Sequence, residues 1–166
     1  MLVAFDRANE AAATGNYPVG AALAIDGELI DSCHNDNRQQ DTLTNHAELG
    51  LLQKTSTIIR KKVFDEGVKS IVLYTTLEPC LMCIGTAVIS RVTRIVYACP
   101  DPHGGASKAN TSRLPSWYAR HWPSIEKGPL GRESCALLLR FLRSEPKDHQ
   151  IRKLLPLFEA LEEAHG

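Results

Sequence analysis

The sequence lacks net charge: 19 Lys and Arg stand against 19 Asp and Glu in 166 residues, giving a formal charge of zero and a pI near 7. That balance removes any global electrostatic case for a nucleic-acid partner and leaves only local basic faces to consider. No apolar run is long enough to span a bilayer. There is no charged start followed by an apolar stretch of the kind that directs secretion, and no repeat or low-complexity tract. Tryptophan occurs twice, and both copies fall within residues 107–128. Cysteine occurs five times, an odd number that excludes a fully paired disulfide framework. With no leader, that usage is expected of a reducing cytoplasm. The length is that of one domain, able to bury a core without staples.

Against this even background two short stretches stand out, Asn45-His46-Ala47-Glu48-Leu49 and Thr76-Leu77-Glu78-Pro79-Cys80-Leu81-Met82-Cys83. One imidazole and two thiolates converging on a point are three ligands of the kinds Zn²⁺ prefers. They leave a fourth tetrahedral corner for water, as a catalytic zinc requires. Zinc brings the pKa of such a water to roughly 7, and Glu48, two residues past His46, is the nearby group able to shuttle its protons. Spacing alone does not deliver that partnership, because residues two apart on a regular helix face different ways. Asn45 and Glu48 also read as an N-cap and its capping-box partner.

Competing readings of the thiols are weaker. A C-x-x-C redox site calls for neither the upstream H-x-E nor the preceding proline. A structural zinc would ordinarily need a fourth protein ligand, and Cys33, Cys99, Cys135 and His103 sit at no standard ligand spacing. The three cysteines are expected as buried thiols acting as small apolar groups.

The combined pattern resembles the H-x-E…P-C-x-x-C signature of zinc nucleobase deaminases. The chain is similar to the cytidine and deoxycytidylate deaminase superfamily up to about Gly105. Tyr17-Pro18-Val19-Gly20-Ala21, Thr75-Thr76-Leu77-Glu78 and Ser90-Arg91-Val92 resemble tRNA adenosine deaminases and cytosine deaminases, and guanine deaminases belong to the same likeness. The resemblance implies an α/β fold, a three-layer α/β/α cytidine deaminase-like arrangement around a mixed sheet of about five strands. It implies one catalytic Zn²⁺ with a bound water, held by His46, Cys80 and Cys83, with Glu48 as the proton shuttle. Asn35, eleven positions before His46, is implied as a contact to the substrate base, with Ala47 beside it. A homodimer is implied by analogy with relatives.

Along the chain, residues 2–13 read as a weak amphipathic helix that ends at Gly15-Asn16. Val19 to Ile25 and Glu28 to Cys33 read as strands joined by a hairpin at Asp26-Gly27. The small residues Gly20, Ala21 and Ala22 are expected to leave room beside the first strand for a flat ligand. A polar loop, 34–44, carries Asn35. Further on come a helix over 45–62, a buried strand over 69–75, a helix from Pro79-Cys80 to about Ser90, and an apolar strand over 93–98. Helices follow at 131–142, ended by Pro146, and at 148–164, interrupted by Pro156. Alternating strands and helices argue for helices packed on a sheet.

His103 lies in the loop after the last of these strands, the usual place for site residues in α/β sheets. The irregular 107–128 stretch carries Trp117 and Trp122, expected either to cover the core or to form a lid that stacks on a bound base. The expected organisation is one deaminase domain over 1–166, with a divergent segment from about 106.

Substrate choice divides the chain. The first hundred residues, with Arg60-Lys61-Lys62, Arg91 and Arg94, favour a tRNA-specific adenosine-to-inosine deaminase. The acidic Glu159, Glu162 and Glu163 and the aromatic stretch favour a small molecule, so a free nucleobase or nucleoside is expected first and tRNA second. A non-catalytic zinc-containing scaffold or RNA-binding subunit is the reading from another class; Glu48 speaks against it, since holding the metal does not require that carboxylate.

Overall fold

A computed structural model describes residues 1–145 and 148–165. Pro146, expected to end a helix, lies outside the described residues. The elements run α1 (Leu2–Ala13), β1 (Gly20–Ile25), β2 (Glu28–His34), α2 (Ala47–Lys54), α3 (Ser56–Phe64), β3 (Ile71–Leu77), α4 (Leu81–Ile89), β4 (Arg94–Cys99), α5 (Ser116–Arg120), β5 (Ser124–Lys127), α6 (Gly131–Ser144) and α7 (His149–His165). The five strands form one sheet in the order β2-β1-β3-β4-β5. β1 is antiparallel to β2 and β3, while β3, β4 and β5 are parallel. This is the expected mixed sheet. α1 and α6 pack on one face and α2 and α4 on the other, completing three layers.

The hairpin turns where its residue types require: Asp26 and Gly27 both have positive φ, 48° and 88°, the left-handed pair of a two-residue turn. The expected room beside β1 is not there. A Cβ on Gly20 would lie 2.1 Å from the Ala4 carbonyl oxygen and 2.5 Å from the Ala8 backbone nitrogen. The small residues therefore admit α1, whose Ala4, Ala8 and Ala11 are fully buried.

One expected helix is two. Thr55 breaks the run between α2 and α3, and its hydroxyl donates to the Leu51 carbonyl at 2.7 Å, the back-bonding that bends helices. α7, expected to be interrupted, continues through Pro156. The fifth strand comes from the irregular stretch. β5 is a four-residue edge strand with a single partly buried position, Ile125, too short and too polar to show an alternation.

The expectation of three free buried thiols is also corrected. Cys99, at the end of β4, and Cys135, in the second turn of α6, form a disulfide with their Cα atoms 5.4 Å apart, within the range a disulfide spans. Only Cys33 of the three is a free, partly buried thiol. Cysteine usage therefore gives no argument for a reducing compartment.

The core has two parts. Leu23, Leu51, Leu73, Ile84, Val88 and Ile95 belong to the part between the sheet and α2 and α4. Leu138, Leu139, Leu142, Ile151 and Phe158 pack α6 and α7 together near Cys99. No helix among the described residues is long and apolar enough to cross a membrane.

Candidate active site

Two helices begin at one point. His46 is the N-cap of α2, with an extended backbone (φ −74°, ψ 149°), and Cys80 is the N-cap of α4 (φ −73°, ψ 168°). This accounts for a convergence that spacing could not supply. Because His46 precedes the helix while Glu48 lies in its first turn, the rule for residues two apart on a regular helix does not apply. The capping-box reading is overturned, since the cap is His46 and not Asn45, and no side chain bonds the cap.

His46 Nδ1 lies 3.7 Å from Cys80 Sγ and 3.6 Å from Cys83 Sγ, and the three donor atoms fall within 4.8 Å of one another. A tetrahedral Zn²⁺, with Zn–S near 2.3 Å and Zn–N near 2.0–2.1 Å, sets its nitrogen and sulfur ligands about 3.5 Å apart. The donor set and its edges fit zinc. No other group of three His, Cys, Asp or Glu side chains that could hold a metal occurs among the described residues.

Protons and a cation compete for these atoms. Cys80 is pulled down to about 4, chiefly because Cys83 donates to it; burial opposes this and His46 assists. Cys83 is pushed up, first by that donation and then by burial. The hydrogen bond to Cys80 raises His46, against burial.

Glu48 is 3% exposed. Its Oε1 accepts from the Thr75 hydroxyl at 3.3 Å, and its Oε2 is buried with no protein partner. Burial raises its carboxyl pKa. A buried carboxylate oxygen without a donor is costly unless something outside the chain completes it. An unpartnered oxygen beside an N,S,S donor set is where a water or a substrate proton belongs.

The site opens into a cavity of about 470 Å³ that His46, Glu48, Cys80, Asn35 and His103 line. Asn35 is 4% exposed, and its Oδ1 accepts from the Asn37 N–H at 3.2 Å. The loop that presents it is pinned by Asn16, whose Oδ1 accepts from the N–H groups of Arg38 and Gln39 at 3.1 and 3.0 Å. The His103 loop is shaped by Asp101, which accepts from the N–H groups of His103 and Gly104. It is clamped by Glu78, which accepts from the N–H groups of Asp101 and Ser107 at 3.1 Å each.

Three of the expected substrate contacts lie elsewhere. Ala47 is fully buried in the core and does not line the cavity. Trp122 packs against the core and lines a separate cavity with Ile71, whereas Leu77 lines the catalytic one. Ile71 and Leu77 are the two ends of β3, about 20 Å apart at roughly 3.3 Å per residue. Trp117 stands on α5, 40% exposed, with the Arg91 guanidinium over its ring. The aromatic stretch is therefore no lid on the catalytic cavity. It feeds β5 onto the parallel edge of the sheet and so stays at the strand-start end.

Residues the sequence did not single out as site candidates also line the cavity, among them Tyr17, Asn37, Leu43 and Asp101, with Lys153, Leu154 and Phe158 of α7. Asn37 lies in the same polar loop as Asn35, and Asp101 in the same loop as His103, which was signal enough to include them. Nothing in the apolar stripe of α7 says which part of the molecule it covers.

Comparison with known proteins agrees with this geometry. The family described as the cytidine and deoxycytidylate deaminase zinc-binding region matches residues 1–99. A tRNA-specific adenosine deaminase of Bacillus subtilis (strain 168) is 33% identical over 143 residues, covering 86% of each chain. A structure of a tRNA:A34 deaminase, from work on A-to-I editing at the wobble position of transfer RNA, matches with a TM-score of 0.64 and 30% identity, over 83% of this chain and 97% of that one. A guanine deaminase from Nitrosomonas europaea matches with a TM-score of 0.65 over 83% of this chain and 80% of its own, and at 24% identity it shows the shared fold alone. By sequence match and by fold, the chain belongs to the cytidine and deoxycytidylate deaminase family of zinc-binding proteins.

Proposed function

We propose that the chain is a zinc-dependent hydrolytic deaminase that converts an adenosine of tRNA to inosine, the reading that stood second on sequence alone. The observation that carries the deaminase part is the N,S,S donor set of His46, Cys80 and Cys83 beside a buried carboxylate with one unpartnered oxygen. The tRNA part is supported by the relatives, since the one at 33% and the solved structure at 30% identity are both tRNA adenosine deaminases. In the same proposal the chain is a single deaminase domain, with the part from about residue 106 supplying β5 and the last helices.

Zinc, when bound by His46, Cys80 and Cys83, supplies the Lewis acid that makes water nucleophilic near neutral pH. Glu48 takes the proton of the attacking water on Oε2. It delivers that proton to the ring nitrogen beside the amino-bearing carbon, then takes the proton of the hydroxyl now attached to that carbon and passes it to the amine, which leaves as ammonia as the carbonyl forms. Thr75 holds Oε1 so that Oε2 faces the reaction, and the raised carboxyl pKa suits a group that both accepts and releases protons. The Asn35 amide and the buried, unpartnered Asn37 Oδ1 offer a donor and an acceptor for a base edge.

A free nucleobase or nucleoside is the second reading, and one observation favours it: Lys153, Leu154 and Phe158 bring α7 over the cavity, which suits a small ligand. An ammonia-release assay on the zinc-loaded protein tests both, over tRNA, adenosine, adenine, guanine and cytosine. Turnover of tRNA alone, falling steeply with salt as phosphate contacts require, is the expected result. Salt-insensitive turnover of a free base or nucleoside with tRNA inert would replace the substrate. Bound zinc with no ammonia from any of them would leave the non-catalytic scaffold reading. A homodimer belongs to the same proposal; Leu81 and Ile89, each 63% exposed on α4, are apolar residues it would cover, and light scattering should give twice the 18.3 kDa chain mass.

A further inference from the structure

The second cavity, at the strand-start end of the sheet, encloses about 540 Å³, within the range of small-molecule sites. Its lining brings together residues from four parts of the chain: Phe64 at the end of α3, Ile71 at the start of β3, Arg91 just after α4, and Arg120, His121 and Trp122 at and beyond the end of α5. Nothing in the deamination chemistry uses it.

Three features mark it as more than a gap between elements. Its cations are unneutralised: the arginine ion pairs of the described residues engage Arg7, Arg38, Arg94 and Arg143, and among those residues neither Arg91 nor Arg120 meets a carboxylate. Arg91 is held in an unfavourable backbone conformation. It has φ +61° at the exit of α4, a left-handed position that glycine ordinarily fills. There a long cationic side chain reaches the cavity, with its guanidinium 4.8 Å from the Trp117 ring centroid. Finally, the apolar lining is aromatic at both sides. Trp122 is fixed against the core, and Phe64 is 65% exposed. Trp117 and His121 add a tilted ring pair beside them, with centroids 4.7 Å apart and planes at 39°.

Guanidinium groups without a carboxylate partner beside partly exposed aromatic rings recognise a ligand that is itself a flat ring carrying an anion. We propose that this cavity binds a nucleoside phosphate, with the base against Phe64 and Trp122 and the phosphate on Arg91 and Arg120, at a site separate from the catalytic one. The ligand is a free nucleotide or one nucleotide of an RNA strand. The proposal does not depend on which base the catalytic site deaminates.

Both tryptophans of the protein lie in or beside the cavity, so intrinsic fluorescence reports its occupancy directly. The probes are uridine 5′-monophosphate and oligouridylate, which have no exocyclic amine for the catalytic site to remove, with uridine and inorganic phosphate alongside. Saturable quenching by uridine 5′-monophosphate, weaker for uridine or phosphate alone, is the expected result and identifies a free nucleotide. Quenching by oligouridylate only identifies an RNA strand. In either case Arg120→Glu and Arg91→Gln should each weaken binding about ten-fold or more, as loss of a charge-assisted contact does. Arg120 is exposed on a short helix, so its variant should keep the wild-type circular dichroism and zinc content. No quenching by either uridylate probe, wild-type affinity in folded Arg120→Glu, or phosphate alone binding as tightly as the nucleotide would each overturn the proposal.

Discussion

Thr75 and Glu48 are tied across the layers: a β3 hydroxyl donates to a carboxylate in the first turn of α2 at 3.3 Å. That bond occupies one oxygen of Glu48 and leaves the other, Oε2, unpartnered and buried. Thr75 is itself fully buried, so the donor does not exchange with water. Thr75→Val, which keeps the shape and removes the donor, should lower kcat about 10- to 100-fold, the worth of a hydrogen bond to a charged group. Zinc content and KM should change little, and Thr75→Ser should recover most of the rate. Glu48→Gln should keep its zinc and lose roughly 10²–10⁴ in rate. Wild-type ammonia release in Glu48→Gln would remove Glu48 as the shuttle.

Zinc uptake should release about two protons at pH 6, not three, by the protonation states of the ligands. At that pH Cys80, with a pKa of about 4, is already a thiolate. Cys83, pushed up, is a thiol, and His46, raised above its ordinary 6.5, is an imidazolium. All three must be unprotonated to bind the metal, so Cys83 and His46 each give up a proton and affinity falls as pH falls. Calorimetric titration of the chelator-treated protein in buffers of different ionisation enthalpy counts them. Three protons would mean that Cys80 is not the thiolate if Glu48→Gln also releases three, and that the Glu48 carboxyl, raised by burial, supplies the third if that variant releases two. Cys80→Ala and Cys83→Ala should both lose zinc, read by metal analysis.

The parts of this site that were legible in the sequence were the residue types, and the parts that were not were backbone conformations. His, Glu and two Cys can be read as donors from their chemistry, but their meeting depends on His46 and Cys80 both standing just outside a helix. Spacing does not encode that. The buried strands β3 and β4 announced themselves through β-branched runs. The edge strand β5 did not, because four mostly exposed residues carry no alternation. Trp117 and Trp122 were readable as aromatics needing cover or a ligand, whereas their end of the sheet is decided by β5. Cys99 and Cys135 each looked like an apolar filler, and only the docking of α6 on β4 makes them partners.

Gly20 is where α1 touches β1. With the Ala4 carbonyl oxygen and the Ala8 nitrogen 2.1 and 2.5 Å from where a methyl group would stand, Gly20→Ala must push the helix backbone off the strand. Backbone cannot swing aside as a flexible side chain does, so the cost should be at least the about 1–3 kcal/mol of ordinary overpacking. The urea midpoint should drop accordingly. Gly20 also donates its N–H to Thr76 Oγ1 at 3.0 Å, next to Thr75, so ammonia release should fall as well. An unchanged midpoint would mean that α1 is not seated on β1 as described.

The Cys99–Cys135 disulfide closes a loop with a sequence separation of 36 residues and ties α6 to the end of β4. Constraining a loop of that length should add about 2–4 kcal/mol of stability in the chain-entropy account. The effect also reaches the catalytic cavity. Leu138 and Leu142, one and two turns beyond Cys135, line it, and the Cys99 carbonyl accepts from the Glu78 N–H at 2.8 Å, two residues before Cys80. Cys135→Ser avoids adding a reductant that would compete for zinc. It should lower the urea midpoint and raise KM more than it lowers kcat, because the tie positions the cavity wall and not the donor atoms. If stability falls while KM stays at the wild-type value, the bond serves the fold alone and α6 keeps its place over the cavity without it.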